Sequence, residues 1–204
     1  MRNPVGLLVV FVAFAAGLFY GLKNTDTQPP ELKDATLLQP ARQLAPFSLQ
    51  STRSTTIDAN SLSDHWTLVF FGFTRCPDIC PTTLQMLSQI RQNIADEIAA
   101  DKLPDILLVS VDPERDTLAA LSDYANYFGE GVYAARADGP ALAEFTRDVG
   151  VVYQKIDLDD GDYTMDHTGA VLLIGPDATL QAVFTPPLRA DVIQQDLLAI
   201  LRYL

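Results

Sequence analysis

The hydrophobic positions of the chain follow two periodicities that alternate along the sequence. Trp66–Phe73 and Asp105–Val111 are short apolar runs bounded by turn residues, which predicts strands buried on both faces. Between them, apolar residues recur every three to four positions and predict a helix that crosses over between two parallel strands. The residues of this stripe are Leu84, Leu87, Ile90, Ile94 and Ile98.

The second half of the chain continues this alternation. Helices are predicted at 117–128, 140–149 and 189–204, strands at 132–136 and 151–156, and a strand hairpin at 170–184. A βαβ unit that is followed by a hairpin and a last helix is typical of a thioredoxin-like fold. The predicted class is therefore α/β, with a central mixed sheet flanked by helices.

The N-terminal segment has a different pattern. Residues Pro4 to Leu22 form an uncharged run of 19 positions, roughly the length that a helix needs to cross a bilayer. We expect a single transmembrane anchor at 1–22, with a cleaved signal peptide as the alternative, and an extended, proline-bearing linker at 23–45. Residues 46–204 then form one globular domain. Only three residues precede the run, which leaves no room for an organellar transit peptide. The expected location is the bacterial inner membrane, with the domain facing the periplasm.

Charge and cysteine content narrow the function. The chain has 14 Lys and Arg against 26 Asp and Glu, a formal net charge of -12, so a surface that follows the phosphates of a nucleic acid is excluded. Two cysteines are too few for a disulfide framework. The pair therefore indicates one local chemical site.

Both cysteines fall where a strand is followed by a helix. Cys76 comes just after the Trp66–Phe73 strand, and Cys80 just before or within the first helical turn, with Pro81 suited to the first helical position. Free amides, the helix dipole and the neighbouring Arg75 predict that both thiols ionise readily. The four-residue spacing favours metal chelation over a direct disulfide without forbidding oxidation. Cys76 and Cys80 are thus candidates both for metal ligands and for a redox-active pair.

A third ligand has few candidates, because the chain contains two histidines. His65 precedes the Trp66 strand at the end opposite the cysteines, and we interpret it as a surface residue. His167 lies just ahead of a predicted strand that the fold brings beside the cysteines, and it is the candidate ligand. Asp166 can orient the imidazole or bond a turn. Met165 is a possible soft donor, although core packing is the simpler reading.

Two acidic segments have structural interpretations. In Asp112–Thr117 (DPERDT), Asp112 and Pro113 end a strand and Asp116 is expected to cap the following helix. The stretch at 157–163 (DLDDGDY) is read as a solvated loop that adjoins His167 and can contribute to a docking face.

Three segments together resemble the Sco/SenC family of membrane-anchored copper proteins: FGFTRCPDICPTTL, VSVDPERDT and YTMDHTGAVLLIGPDATL. The similarity extends from about Phe47 to the C-terminus. It implies a thioredoxin-like fold and copper, as Cu(I) or Cu(II), held by Cys76, Cys80 and His167. Many relatives carry histidine where this chain has Arg75, which removes an auxiliary ligand and leaves the other three.

The family helps to assemble the dinuclear copper centre, CuA, of cytochrome c oxidase subunit II. The resemblance therefore implies a metallochaperone that has subunit II, or a related copper protein, and other copper chaperones as partners. The alternative is a thiol-disulfide oxidoreductase that reduces the cysteines of the CuA site, and a peroxidase-like enzyme is a third reading. Thioredoxin-type exchange favours two residues between the cysteines, whereas this chain has three, and it makes no use of His167. A non-enzymatic copper chaperone is therefore favoured.

Overall fold

The computed structural model describes residues 28–53, 56–159 and 161–204. The compact unit that carries the hydrophobic core comprises residues 32–202 and 204. Of the other unit, residues 1–31 with Tyr203, the structure describes 28–31 and Tyr203. The predicted anchor at 1–22 lies outside the described residues. Within the described ranges, no helix is long and apolar enough to span a bilayer.

The described residues form ten strands, five α-helices and a short 3₁₀ helix at Ala100–Lys102. The strands are β1 (Ala35–Gln43), β2 (Leu49–Ser51), β3 (Thr56–Ile57), β4 (Thr67–Gly72), β5 (Asp105–Ser110), β6 (Val132–Arg136), β7 (Tyr153–Asp157), β8 (Tyr163–His167), β9 (Val171–Ile174) and β10 (Thr179–Phe184). The helices are α1 (Ala59–Leu62), α2 (Ile79–Ile94), α3 (Leu118–Tyr127), α4 (Gly139–Val149) and α5 (Ala190–Tyr203).

Eight of the strands form one mixed sheet in the order β1-β10-β9-β4-β5-β6-β2-β3. At its centre β4, β5 and β6 run parallel, and β9 pairs antiparallel with β4. β9 and β10 form the predicted hairpin. This arrangement confirms the α/β class and the crossover between β4 and β5. β7 and β8 pair with each other in a separate two-stranded sheet, so the strand predicted at 151–156 does not join the main one.

The core lies around the central strands. It consists of the apolar residues whose spacing predicted these strands and the helix α2. Every residue of β4 is buried, as are Ile106 to Ser110 of β5. The stripe of α2 places Leu84, Leu87 and Ile90 in the same core. The helix ends at Ile94, so the half-buried Ile98 lies beyond it. Hydrophobic burial on both sides of β4 therefore fixes the strand that leads into the cysteine loop.

The N-terminal boundary of the domain differs from the prediction. The linker was expected to reach residue 45, but β1 occupies Ala35–Gln43 and pairs antiparallel with β10 at the edge of the sheet. The nearly fully buried carboxylate of Asp196 in α5 accepts the backbone N–H groups of Lys33, Asp34 and Ala35 at 2.9–3.1 Å. Proline content suggested a spacer, yet an edge strand tolerates proline because part of its N–H groups needs no sheet partner. The residues from Ala35 onward therefore belong to the folded domain, which was predicted to begin at residue 46.

Candidate metal centre

The cysteine loop connects β4, which ends at Gly72, to α2, which begins at Ile79. Cys80 is the second residue of α2 and lies on the same helical face as Leu84, four residues further on. This face is packed into the core, so the Cys80 side chain is fully buried. Cys76 precedes the helix and packs half-buried against the same core. Pro81 was expected at the first helical position and occupies the third.

The loop folds back so that the Cys76 sulfur lies over the start of α2. The Cys80 backbone N–H donates to Cys76 Sγ at 3.4 Å. This amide is one of the free N–H groups of the first turn, and the N-cap residue Asp78 supplies no side-chain acceptor. The Cys76 sulfur therefore accepts an N–H of the first turn of α2, as a side-chain oxygen does in an ordinary N-cap. Since Cys76 lies outside the helix, the fixed separation of two residues four apart on a regular helix does not constrain the pair.

The expected ionisation of both thiols is wrong for Cys80. Burial raises the pKa of the Cys80 thiol well above its ordinary value, and a side-chain hydrogen bond with Cys76 raises the pKa further. The helix dipole and Arg75 favour a thiolate, but burial removes water from the thiol and so disfavours its charged form. Cys80 is therefore a protonated thiol near neutral pH until a metal ion displaces its proton.

His167 is the last residue of β8, and its ring reaches the cysteine loop. Its Nε2 lies 3.6 Å from Cys80 Sγ, and its Nδ1 lies 3.2 Å from the carbonyl oxygen of Thr168. Because a carbonyl oxygen only accepts hydrogen bonds, Nδ1 carries the proton, and the lone pair of Nε2 faces the thiol. Phe70 and Phe73 contact the ring edge-on, with centroids 6.0 and 6.2 Å away. The imidazole is thus held in the tautomer that can bind a metal through Nε2.

The other residues considered as metal ligands or as orienting groups do not contact the cysteine loop or have a structural role. His65 is exposed and precedes β4, at the end of the strand opposite the cysteine loop, as predicted. Met165 packs half-buried against the core, which confirms the packing interpretation. Asp166 is exposed, and the acceptor that orients the His167 ring is the Thr168 carbonyl instead.

Asp116 was predicted to cap α3, and this prediction is wrong. The N-cap is Thr117, whose side chain accepts the Ala120 N–H. Asp116 is fully buried and accepts hydrogen bonds from the Thr74 N–H at 3.1 Å, the Thr74 hydroxyl at 2.5 Å and the Ser110 hydroxyl at 2.6 Å. Its carboxylate therefore ties the cysteine loop to the end of β5. The sequence around Asp116 resembles a helix cap and gives no sign of this role, because the contact is with Thr74, 42 residues away.

The strand pair that carries His167 is attached to the β5–α3 loop by three residues, which we call the hairpin anchor: Asp112, Arg115 and Tyr163. Arg115 forms an ion pair with the buried carboxylate of Asp112, donates to the Tyr163 carbonyl at 2.9 Å, and stacks over the Tyr163 ring at 3.6 Å. The Tyr163 hydroxyl donates to Asp112 at 2.9 Å. Arg115 also pairs with Asp162, so the stretch at 157–163 is not simply a solvated loop.

The distance between Cys80 Sγ and His167 Nε2 fits a metal ion that both residues bind. With bond lengths of about 2.3 Å to sulfur and about 2.0 Å to nitrogen, two ligands at a tetrahedral angle lie about 3.5 Å apart, close to the 3.6 Å that separates Cys80 Sγ from His167 Nε2. Cys76 contacts Cys80 through the hydrogen bonds described above. Across the described residues, no three His, Cys, Asp or Glu side chains form a ready-made metal site. Two soft sulfur donors and an imidazole suit copper better than magnesium or calcium.

Comparison with known proteins assigns the family. The family model described as SCO1/SenC matches residues 35–202, nearly the whole compact unit. This chain belongs to the SCO1/SenC family. The match confirms the resemblance inferred from the cysteine and histidine segments, and it begins at the residue where β1 begins.

Relatives within the SCO1/SenC family include bacterial and mitochondrial proteins. A protein of Stutzerimonas stutzeri that is named for copper binding is 31% identical over 165 residues, which cover 81% of this chain and 80% of that protein. The human mitochondrial SCO1 homolog is 33% identical over 183 residues, which cover 86% of this chain and 60% of that protein. The chain thus spans less than two thirds of the human relative.

A solved SCO1/SenC structure supports the fold. The crystal structure of Arabidopsis thaliana ScoI with copper bound has a TM-score of 0.73 to this chain and is 28% identical. The likeness covers 78% of this chain and 98% of the Arabidopsis chain. The predicted thioredoxin-like α/β fold with a mixed central sheet is therefore confirmed.

Proposed function

We propose that this SCO1/SenC protein binds one copper ion through Cys76, Cys80 and His167 and delivers it to the CuA site of cytochrome c oxidase subunit II. The observation that carries the proposal is the 3.6 Å approach of His167 Nε2 to Cys80 Sγ, with the Nε2 lone pair directed at the thiol. A third candidate ligand, Cys76, contacts the same thiol. The family to which the chain belongs and the copper-bound Arabidopsis structure support copper as the cargo.

Three ligands leave room for a transfer step. Cu(I) accepts two thiolates and an imidazole, and a further thiolate from a partner can bind before a ligand of this chain leaves. Ligand exchange then moves the ion without releasing it to water. Cys76, the half-buried thiol, is the ligand that an incoming partner can reach, whereas the fully buried Cys80 stays shielded.

The alternative function is a thiol-disulfide oxidoreductase that reduces the CuA cysteines. Such an enzyme needs a thiolate nucleophile, and burial raises the pKa of the Cys80 thiol, which leaves Cys76 to attack. It has no evident use for an imidazole whose free lone pair faces the buried thiol. Copper carriage accounts for all three side chains, so it is the function that the geometry supports best.

His167→Ala separates the two functions. If the chain carries copper, the variant loses the imidazole, and membranes from cells that express it at normal abundance contain an oxidase deficient in copper and activity. Its thiols still exchange with a small disulfide. His65→Ala is the matched control, because His65 is exposed and lies at the other end of β4. Full oxidase activity in the His167→Ala strain at limiting copper would contradict carriage and favour the reductase.

We also propose that residues 1–22 anchor the domain in the bacterial inner membrane, with the copper site in the periplasm. The uncharged run from Pro4 to Leu22 supports this proposal. Membranes washed with alkaline carbonate should retain the protein, and protease added to spheroplasts should digest the domain. A chain released by carbonate, or protected from the protease, would contradict the proposed anchor or orientation.

A further inference from the structure

Two exposed hydrophobic side chains lie beside the candidate copper ligands. Ile79, which directly precedes Cys80 in α2, is 60% exposed, and Val152, just ahead of β7, is 72% exposed. Among the described residues only one large hydrophobic side chain, Tyr127, is more exposed, at 81%. Single exposed apolar residues are common on protein surfaces, so their location decides what they indicate. Two of the three most exposed ones flank a single site.

Val152 is joined to the strand that carries His167. Its backbone N–H donates to the Thr168 hydroxyl at 3.0 Å, and its carbonyl oxygen accepts the Thr168 N–H at 2.8 Å. Because side chains alternate along a strand, Val152 and Asp166 lie on the outer face of the hairpin, whereas His167 points toward the cysteine loop. All three residues line one open depression of about 280 Å³. The outer face of the hairpin therefore borders the histidine ligand.

Each of the two hydrophobic residues has an exposed aspartate next to it. Asp78 precedes Ile79 in the chain, and Asp166 lines the depression together with Val152. Within the described part of the chain, neither carboxylate forms an ion pair with a Lys or Arg side chain. Arg75 is exposed in the same loop and offsets part of this charge, but the chain as a whole carries a net charge of -12. The surface around the ligands is thus apolar with an acidic margin.

We propose that this surface is where the copper-accepting protein binds, and we call it the docking face: Ile79, Val152, Asp78 and Asp166. The inference rests on the proposed function. The matching surface of the partner has apolar side chains at its centre and Lys or Arg at its margin, because interfaces pair apolar centres and complementary charges. A membrane of anionic lipids would be repelled by the same aspartates.

The location of the docking face suits ligand exchange. The Cys76 sulfur lies 3.4 Å from the peptide nitrogen that joins Ile79 to Cys80, so a partner that covers Ile79 is next to this half-buried sulfur. The side chains of the docking face contact the partner and do not bind the ion. Copper affinity and copper transfer therefore depend on different residues.

A double variant, Ile79→Thr with Val152→Thr, tests the inference in the detergent-solubilised full chain. Threonine keeps the β-branched shape of both side chains and removes apolar area. The Cu(I)-loaded chain is mixed with the metal-free, reduced CuA domain of subunit II, and the copper in each protein is measured over time. Below saturation, transfer should be about tenfold slower than in wild type, because apolar contacts at the centre of an interface are lost. Copper affinity in a chelator competition should stay within about twofold of wild type.

Asp166→Asn tests the acidic margin, since it keeps the shape of the side chain and removes its charge. Transfer should be about threefold slower at low ionic strength and equal to wild type at high salt, because salt screens exposed charges.

Tyr127→Gln is the matched control for an exposed hydrophobic residue. Tyr127 ends α3 and precedes β6, whereas the cysteine loop follows β4, so the two lie at opposite ends of the parallel strands. This variant should transfer copper at the wild-type rate.

A wild-type transfer rate in the double variant would overturn the inference, as would an equal loss in Tyr127→Gln. A fall in copper affinity that accounts for the slower transfer would also overturn it, because the two residues would then act on the ion and not on the partner. Unchanged transfer together with lost binding to phosphatidylcholine vesicles, or with lost self-association, would assign the face to a membrane or to a second copy of the chain.

The failure of this inference can be told apart from the failure of the proposed function. A wild-type chain that retains no copper, or that passes none to the CuA domain, overturns both. Wild-type copper binding and transfer that are indifferent to the docking face overturn this inference alone.

Discussion

The two sides of the candidate copper site are built by different forces. The cysteine side belongs to the main sheet: β4 is buried throughout, and Cys80 lies on the apolar face of α2. The histidine side is the separate β7–β8 sheet, whose residues are exposed or half-buried. The hairpin anchor of Asp112, Arg115 and Tyr163 fastens it through an ion pair and hydrogen bonds.

This difference indicates how affinity can change without loss of the fold. Hydrophobic burial fixes the cysteine side, and a change there disturbs the core of the whole domain. A few polar contacts fix the histidine side, and a change there should move His167 while the thiols stay in place.

Arg115→Met should have the largest effect, because it breaks the hairpin anchor. The Asp112 carboxylate is 1% exposed and would lose its cationic partner. Breaking a buried ion pair from one side costs about 3 kcal/mol or more. The free energy of unfolding in urea should fall by this amount, and copper affinity should fall as His167 loses its support.

Lys155→Met provides the control for the hairpin anchor. Lys155 lies over the same Tyr163 ring at 3.8 Å, and its ion pair with Glu114 is exposed. Surface pairs of this kind contribute less than about 1 kcal/mol. If both variants lost equal stability, the hairpin would not depend on the buried pair.

Gly72→Ala tests the cysteine side. A Cβ at position 72 would lie 2.9 Å from Cys80 Sγ and 3.2 Å from side-chain atoms of Leu108 and Phe70. Overpacking of this kind costs about 1–3 kcal/mol, so the unfolding midpoint and the copper affinity should fall together. Gly139→Ala is the control, since its Cβ would contact nothing within 4 Å. Wild-type copper affinity in Gly72→Ala would show that Cys80 is less tightly packed than the structure indicates.

The elevated pKa of Cys80 predicts that the stability of the fold depends on pH through the cysteine side. Above the ordinary thiol pKa of 9.0, the unfolded chain releases the Cys80 proton while the folded chain keeps it. The unfolded state then binds fewer protons, so stability declines as pH rises. Metal-free reduced protein should lose about 1 kcal/mol more between pH 8 and pH 10 than a Cys80→Ala variant does. Parallel curves for the two proteins would contradict the buried, protonated thiol.

Asp166→Ala should have the smallest effect. Asp166 is exposed, and the His167 ring is oriented by the Thr168 carbonyl. Copper affinity should stay within about twofold of wild type, a difference below about 0.5 kcal/mol. A tenfold loss in a chelator competition would assign Asp166 the orienting role after all.

Local patterns in the sequence predicted the cysteine side well. The buried runs of β4 and β5 and the stripe of α2 carry strong periodic signals, and they placed Cys76 and Cys80 at a helix start. The same stripe also predicts that Cys80 is buried, because Leu84 and Leu87 follow Cys80 at four and seven positions and so lie on the same helical face. The expectation of two ionised thiols overlooked that spacing.

The polar contacts that hold the hairpin and the cysteine loop in place could not be predicted in this way. Arg115 meets Tyr163 across 48 residues, and Asp116 meets Thr74 across 42. No periodicity marks such polar pairs. Asp116 directly precedes the true N-cap, Thr117, and its residue type is equally common at that position. β1 was missed for a related reason: its polar, proline-bearing sequence matches a spacer until β10 and Asp196 supply its hydrogen-bond partners.

X-ray absorption at the copper edge of the reduced, Cu(I)-loaded full chain identifies the atoms that bind the ion. We predict two sulfur ligands and one imidazole nitrogen per copper, with the imidazole lost in His167→Ala and both sulfurs lost in a Cys76→Ser, Cys80→Ser variant. Spectra of wild type and His167→Ala that coincide, or sulfur ligation that persists in the double variant, would contradict a site shared between the cysteine loop and the β8 histidine.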